Sequence, residues 1–226
     1  AMELALEAIR DFPKDIDAAD AIRRITERIY DFYVQHNLLD ELKAEPGKRF
    51  TANGVIYSYA RNEVWQVGDC QCIIDNLYSS NEKEIDAIMA DVRAVVNEVA
   101  LLGGATMKDL ESHDPGREFI YPFLQKQALL QNCPIQGQQF SFSVFDGFPI
   151  QMEQVKVFPV GDAKEVVLAS DGYPHLYSTL YASECYLADI LEKDPLCIRL
   201  YKSTKGIQEG NCSFDDRAYL KIRINR

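Results

Sequence analysis

No stretch of this chain is apolar enough, for long enough, to cross a bilayer. Basic residues are in short supply: 24 Lys and Arg stand against 35 Asp and Glu, a formal net charge of −11. A field of that sign attracts neither nucleic acid nor an anionic membrane, so neither is expected as a partner. No C-x-x-C pair accompanies Cys70 and Cys72, which argues against a zinc site. The glycine loops of nucleotide folds are missing: there is no Gly-x-x-x-x-Gly-Lys and no Gly-x-Gly-x-x-Gly. A thiolate nucleophile closed by arginine needs five residues between the two, and Cys212 to Arg217, the nearest approach, is one residue short. Aspartyl-phosphate chemistry needs Asp-x-Asp-x-Thr after a strand, whereas Asp15-Ile16-Asp17-Ala18-Ala19 reads as a helix start without the threonine. An N-terminal nucleophile would require Cys, Ser or Thr where Ala1 stands. The three histidines are scattered. His36 and His113 read as surface or helix-end residues, and His175, four residues after Asp171, reads as loop filler with a lesser claim to a site.

What remains is an ordinary globular composition, 47% apolar and 26% charged, in 226 residues, enough for a substantial core. No internal repeat, linker or low-complexity segment interrupts it, so residues 1–226 are read as one domain. Six cysteines in a chain of this length, several inside apolar elements, are expected to be reduced thiols in a cytoplasmic protein. The opening Ala1-Met2-Glu3-Leu4-Ala5-Leu6-Glu7 is acidic and already helical, unlike a signal peptide, and suggests a piece of a longer protein.

Leu4, Ala5, Ala8, Ile9 and Phe12 share one helical face that Pro13 closes. Asp17 caps a second helix striped by Ile22, Ile25, Ile29, Phe32 and Tyr33. From Phe50 to Leu77 the period falls to two, which predicts an antiparallel meander interrupted at Gly68-Asp69. Ser79, Ser80 and Asn81 are expected to start a long helix with the stripe Ile85, Ile88, Val92, Val95, Val99 and Leu102. A shorter helix is expected over Glu118–Gln131, with Pro122 in its first turn. Strands follow at Phe140–Val144, Gln154–Pro159 and Glu165–Ala169, then a helix over Ser178–Glu192 and a closing strand over Ala218–Ile224. Two strand clusters separated by paired long helices predict an α+β fold, with helices packed outside stacked sheets.

Three acidic positions share one local grammar. Asp171 ends the buried run Val166-Val167-Leu168-Ala169-Ser170 and precedes Gly172; Asp69 follows Gln66-Val67-Gly68; Asp215 and Asp216 precede the closing strand. Each alone is compatible with a turn aspartate capping its own backbone. If the strand ends are neighbours the carboxylates converge, repel, and require cations between them, and all-oxygen ligation suits magnesium or manganese.

Val67-Gly68-Asp69, Leu168-Ala169-Ser170-Asp171-Gly172 and Asp215-Asp216-Arg217-Ala218-Tyr219, in that order, resemble the metal-dependent protein phosphatase 2C (PPM) family. The family has a Gly-Asp-Ser turn, a late Ser-Asp-Gly motif, and Asp-Asn or Asp-Asp before its final strand. The resemblance covers nearly the whole chain. It implies an α-β-β-α sandwich, two mainly antiparallel sheets flanked by helix pairs, here with the N-terminal strands missing. It implies a phosphoserine/phosphothreonine protein phosphatase using Mg²⁺ or Mn²⁺ and acting on phosphoprotein substrates. Asp171 and Asp215 would hold the second of two ions, Asp69 would border a weaker third, and Asp216 would lie beside it. Cys70 stands where serine is usual and Ala218 where threonine is usual. The family's early arginine, its Asn-Glu-Asp segment and its metal-bridging Asp-Gly turn have no counterpart in this sequence, so no catalytic or substrate-binding residue carries over. The alternative is a phosphatase-like domain that binds or regulates without catalysis.

Overall fold

The computed structural model describes residues 1–135, 137–208 and 210–225. Its helical cover forms as the apolar spacing predicts. Helix α1 (Met2–Arg10) is followed by α2 (Ala18–Gln35), where Asp17 Oδ1 accepts the Asp20 N–H at 2.9 Å and so satisfies one free amide of the first turn. Ile22, Ile25, Ile29 and Tyr33 are buried against Val67 and Phe145. A short helix, α3 (Leu39–Ala44), leads into the first strands.

Strands β1 (Gly54–Ser58), β2 (Glu63–Val67) and β5 (Lys156–Pro159) form an antiparallel sheet in the order β1-β2-β5. A second antiparallel sheet has the order β4-β3-β6-β7, with β3 (Gln71–Ile74), β4 (Leu77–Ser80), β6 (Glu165–Ala169) and β7 (Tyr219–Arg223). Val64 of one sheet and Cys72, Ile74, Val166 and Leu168 of the other share one core between them. Alternate residues of β6, Val167 and Ala169, face the opposite way and pack with Tyr173, Leu176 and Leu187, the last from α7 (Leu180–Lys193). The α+β class and the two antiparallel sheets thus hold. Among the described residues no helix is long and apolar enough to cross a membrane.

The expected meander is two sheets, not one. Gly68, at φ +77°, turns the chain between β2 and β3, which belong to different sheets. Both strands are buried almost throughout, so period-two alternation could not separate them. Ser79 and Ser80 do not cap a helix: their backbones pair with Cys72 and Gln71 in β4. Helix α4 (Glu84–Leu102) begins after Lys83 instead, without a side-chain cap. Phe140–Val144 is not a strand. Only isolated bridges, Phe142 to Gln131 and Phe145 to Ala52, form around it, because side chains take the backbone bonds: the Val144 N–H donates to Asn132 Oδ1 at 3.1 Å.

The stripe expected to bury α4 faces largely outward, with Val95 63% and Leu102 87% exposed. Its inward side is Met89, Ala90, Arg93, Ala94 and Asn97. A satisfied polar network explains this choice. The fully buried Arg93 donates from Nε to Asp114 Oδ2 (2.8 Å), from Nη2 to the Leu196 carbonyl (2.8 Å) and from Nη1 to the Ser203 carbonyl (2.9 Å). Asp114 also caps α6 (Pro115–Lys126), accepting the Arg117 N–H at 2.8 Å. That helix therefore starts three residues earlier than expected, with Pro115, rather than Pro122, in its first turn. Between α4 and α6 lies α5 (Met107–Ser112), closed by a Thr106–Asp109 capping box.

Removing Asp114 leaves a buried guanidinium without its carboxylate. Asp114→Ala is expected to lower stability in urea unfolding by about 3 kcal/mol or more. Asp17→Ala, which removes only a cap, is expected to cost about 1 kcal/mol.

Candidate functional site

Three acid-bearing turns meet at one end of the sandwich. Asp69 leaves β2, Asp171 leaves β6, and Asp215 precedes β7. Gly172 makes the second and third meet, since a Cβ there would overlap the Asp216 carbonyl. The Ala218 N–H donates to Ser170 Oγ at 2.9 Å and the Ser170 N–H to the Ala218 carbonyl at 3.2 Å, fixing the two turns side by side. Gln71, buried in β3, steadies them from beneath. Its Nε2 donates to the Tyr173 carbonyl at 2.7 Å, while Tyr78 Oη donates to its Oε1 at 3.0 Å.

Asp69, Asp171 and Asp215 line one cleft of about 160 Å³, with Lys83, Asp86, Tyr201 and Lys205 on its walls. Asp216 is turned away: it is exposed and lines an adjoining groove with Glu184 and Arg217, which pair at 2.8 and 2.7 Å. His175 packs among the rings of Tyr78, Tyr177 and Tyr186 and is not among the residues lining the cleft.

Two ammonium groups reach into the cleft that sequence reasoning did not find. Lys83 Nζ lies 2.5 Å from Asp69 Oδ2 and 3.7 Å from Asp86. The Asn53 amide donates to the other oxygen of Asp69, and Gly68 makes room for it, since a Cβ would overlap the Asn53 side chain. Burial works to discharge the Lys83 ammonium, but Asp69 and Asp86 outweigh it, and its pKa stays above the ordinary lysine value. Lys205 Nζ lies 2.7 Å from Asp215 Oδ1 in a pair that is about one-third exposed. Solvent screening limits such a pair to about 0.2–1 kcal/mol. One signal for Lys83 was present in the sequence: a lysine at a helix N-terminus opposes the macrodipole and needs an acid nearby.

Asp171 has no lysine or arginine within ion-pair distance among the described residues. Its carboxylate is open at the cleft mouth yet crowded by protein atoms. Desolvation first, then the charges of Asp69 and Asp215, raise its pKa to about 6. Burial, Asp69 and Asp171 likewise push the Cys70 thiol up to about 12, which disqualifies it as a thiolate nucleophile. The six cysteines are all free, with Cys185 and Cys212 exposed and the other four buried.

The residues present fit a divalent cation in chemistry and in charge. Asp171 and Asp215 offer hard oxygen donors on adjoining turns, and no lysine or arginine among the described residues lies within ion-pair distance of Asp171. Asp69 already has both oxygens engaged. Among the described residues no three His, Cys, Asp or Glu side chains are grouped closely enough to enclose an ion by themselves.

No protein-family model matches the chain, and no curated protein does. Solved structures do, among them a bacterial serine phosphatase (TM-score 0.38) and a point mutant of one (0.36), each at 13% identity. The matches cover 84% and 86% of this chain and 66% and 67% of those proteins, so the chain spans about two thirds of their length. Likeness at that level carries no weight for fold or activity.

The folded pKa of Asp171 lies above the unfolded value near 4, so the native state binds the proton more readily. Stability from this group is therefore full below about pH 4 and lost as pH rises through about 6. Asp171→Asn is expected to raise Tm at pH 7.5 and to leave it unchanged at pH 4, as thermal melts at the two pH values will show.

Proposed function

We propose that this chain is the acid-bearing part of a metal-dependent phosphoserine/phosphothreonine protein phosphatase. One observation carries the reading: three acids from motifs spread along the sequence, in the order the resemblance requires, line a single cleft at the strand ends. Asp171 and Asp215 would hold Mg²⁺ or Mn²⁺. When bound, the ion would activate water for in-line attack on phosphorus and neutralise the phosphoryl oxygens. The chain's own side chains set the stage for that chemistry. Lys83 and Asn53 hold Asp69 still at the cleft floor. Arg117 donates to the Thr204 carbonyl at 2.8 Å and fixes the wall that carries Lys205. The neutral, buried Cys70 leaves no cysteine route to a covalent intermediate in the cleft. A phosphoprotein substrate fits the −11 chain only if the cleft presents cations locally; Lys83 and Lys205 line it, and Arg117 lines an adjoining pocket that shares Lys83, Asp171 and Lys205 with it.

A second reading, a phosphatase-like binding or regulatory domain without turnover, draws on a different observation. Lysines already neutralise two of the three acids.

Calorimetric titration with Mn²⁺ and hydrolysis of an aryl phosphate separate the two. The first reading expects Mn²⁺ binding that Asp171→Asn weakens by tenfold or more. It also expects turnover by this chain to be weak or absent, and EDTA-sensitive where present, because the two early motifs are absent from this sequence. Binding unaffected by Asp171→Asn removes the metal assignment, and absence of Mn²⁺ binding favours the second reading.

A further inference from the structure

The two lysines of the cleft hold their acids with very different grips. The Lys83 and Asp69 side chains are 14% and 8% exposed, and the ammonium is further fixed by Asp86 at 3.7 Å and by its position 5.1 Å from the Phe142 ring centre. Such a pair is dry, weakly screened and over-determined, so it behaves as a permanent part of the floor. Lys205 and Asp215 are 35% and 30% exposed. Their pairing is a single contact on a polar segment, and the ammonium has a short path back into the cleft, whose lining it shares with Asp171 and Asp215.

A divalent cation and the Lys205 ammonium therefore compete for the same carboxylate. They cannot both sit against Asp215 Oδ1 without repelling one another. The competition is uneven, because a half-screened ion pair gives up its partner at little cost while Lys83 does not. The displaced ammonium stays tethered beside the cleft. Its backbone is held by the neighbouring Thr204 carbonyl, which accepts from Arg117 at 2.8 Å, and by the Ser203 carbonyl, which accepts from Arg93 at 2.9 Å. A flexible four-carbon stem then carries three donors within reach of anything bound between Asp171 and Asp215.

We propose that Lys205 is an exchangeable counter-ion: it occupies Asp215 while the cleft is free of metal, and on metal binding is released to bind the phosphoryl oxygens of the substrate. This rests on the metal-dependent reading above and goes beyond it by naming the group that meets the phosphate. It makes phosphate binding conditional on metal, since without metal the ammonium is spent on Asp215 and the acids repel the anion.

The 226-residue chain and its Lys205→Met and Lys205→Arg variants test this by calorimetric titration with Mn²⁺, then with inorganic phosphate in the presence and absence of Mn²⁺. The wild type is expected to bind phosphate measurably only when Mn²⁺ is present. Lys205→Met removes the competitor and is expected to bind Mn²⁺ roughly two- to fivefold more tightly while losing phosphate binding. Lys205→Arg keeps the charge and is expected to resemble the wild type in both. Equal Mn²⁺ affinity in wild type and Lys205→Met, or phosphate binding retained by Lys205→Met, overturns the role of Lys205 and leaves the metal reading standing. Absence of Mn²⁺ binding in every variant overturns the metal reading and the exchange with it.

Discussion

A single buried guanidinium sets the arrangement of everything on one side of the cleft. Arg93 joins α4 to the carboxylate that caps α6 and to the carbonyls of Leu196, Cys197 and Ser203. Burying a full charge is tolerated only because each of its donors finds an acceptor. The consequences run outward from there. With Arg93 and Asn97 turned inward, the apolar residues of α4 are rotated away from the core, and the segment from Leu196 to Lys205 is pinned where it forms a wall of the cleft. Asp194, itself buried, gathers the amides of Ile198, Arg199 and Leu200 and stiffens the same segment.

The cleft then follows an electrostatic logic that the overall charge of −11 conceals. Three acids brought to one place by strand ends must be neutralised, protonated or bridged. Asp69 and Asp215 take the first course with lysines, and Asp171, without such a partner among the described residues, carries a pKa raised to about 6. Acids perturbed in this way are enriched at functional sites, where burial and like charges are brought together.

The sequence was most legible where periodicity and capping act locally. Asp17, the α2 stripe and the bounds of β6 were read correctly, since each depends on a few neighbouring residues. It was least legible where long-range polar contacts override pattern. Nothing near Arg93 announces Asp114 or the carbonyl of Ser203, so the apolar stripe of α4 was the natural choice and the wrong one. Likewise, β2 and β3 look like one meander because sheet membership is decided by a turn at Gly68, not by their composition. The acids themselves were found from strand-end grammar. Lys205 was missed because a lysine beside an aspartate in space leaves no mark on spacing, and Lys83 because the helix it precedes was expected to start earlier, at Ser79 to Asn81.

The β3–β6 ladder has a consequence for how the molecule comes together. It joins residues such as Gln71 and Ala169, and the brace from Gln71 to Tyr173 closes a separation of 102 residues. Chain closure of that span is entropically expensive and slow, and local helices form well before it. Asp69 and Asp171 are brought together by that long-range pairing and not by any local element. Their mutual repulsion is therefore a property of the closed ladder: helices formed locally do not carry it, and whatever weakens the β3–β6 pairing relieves it.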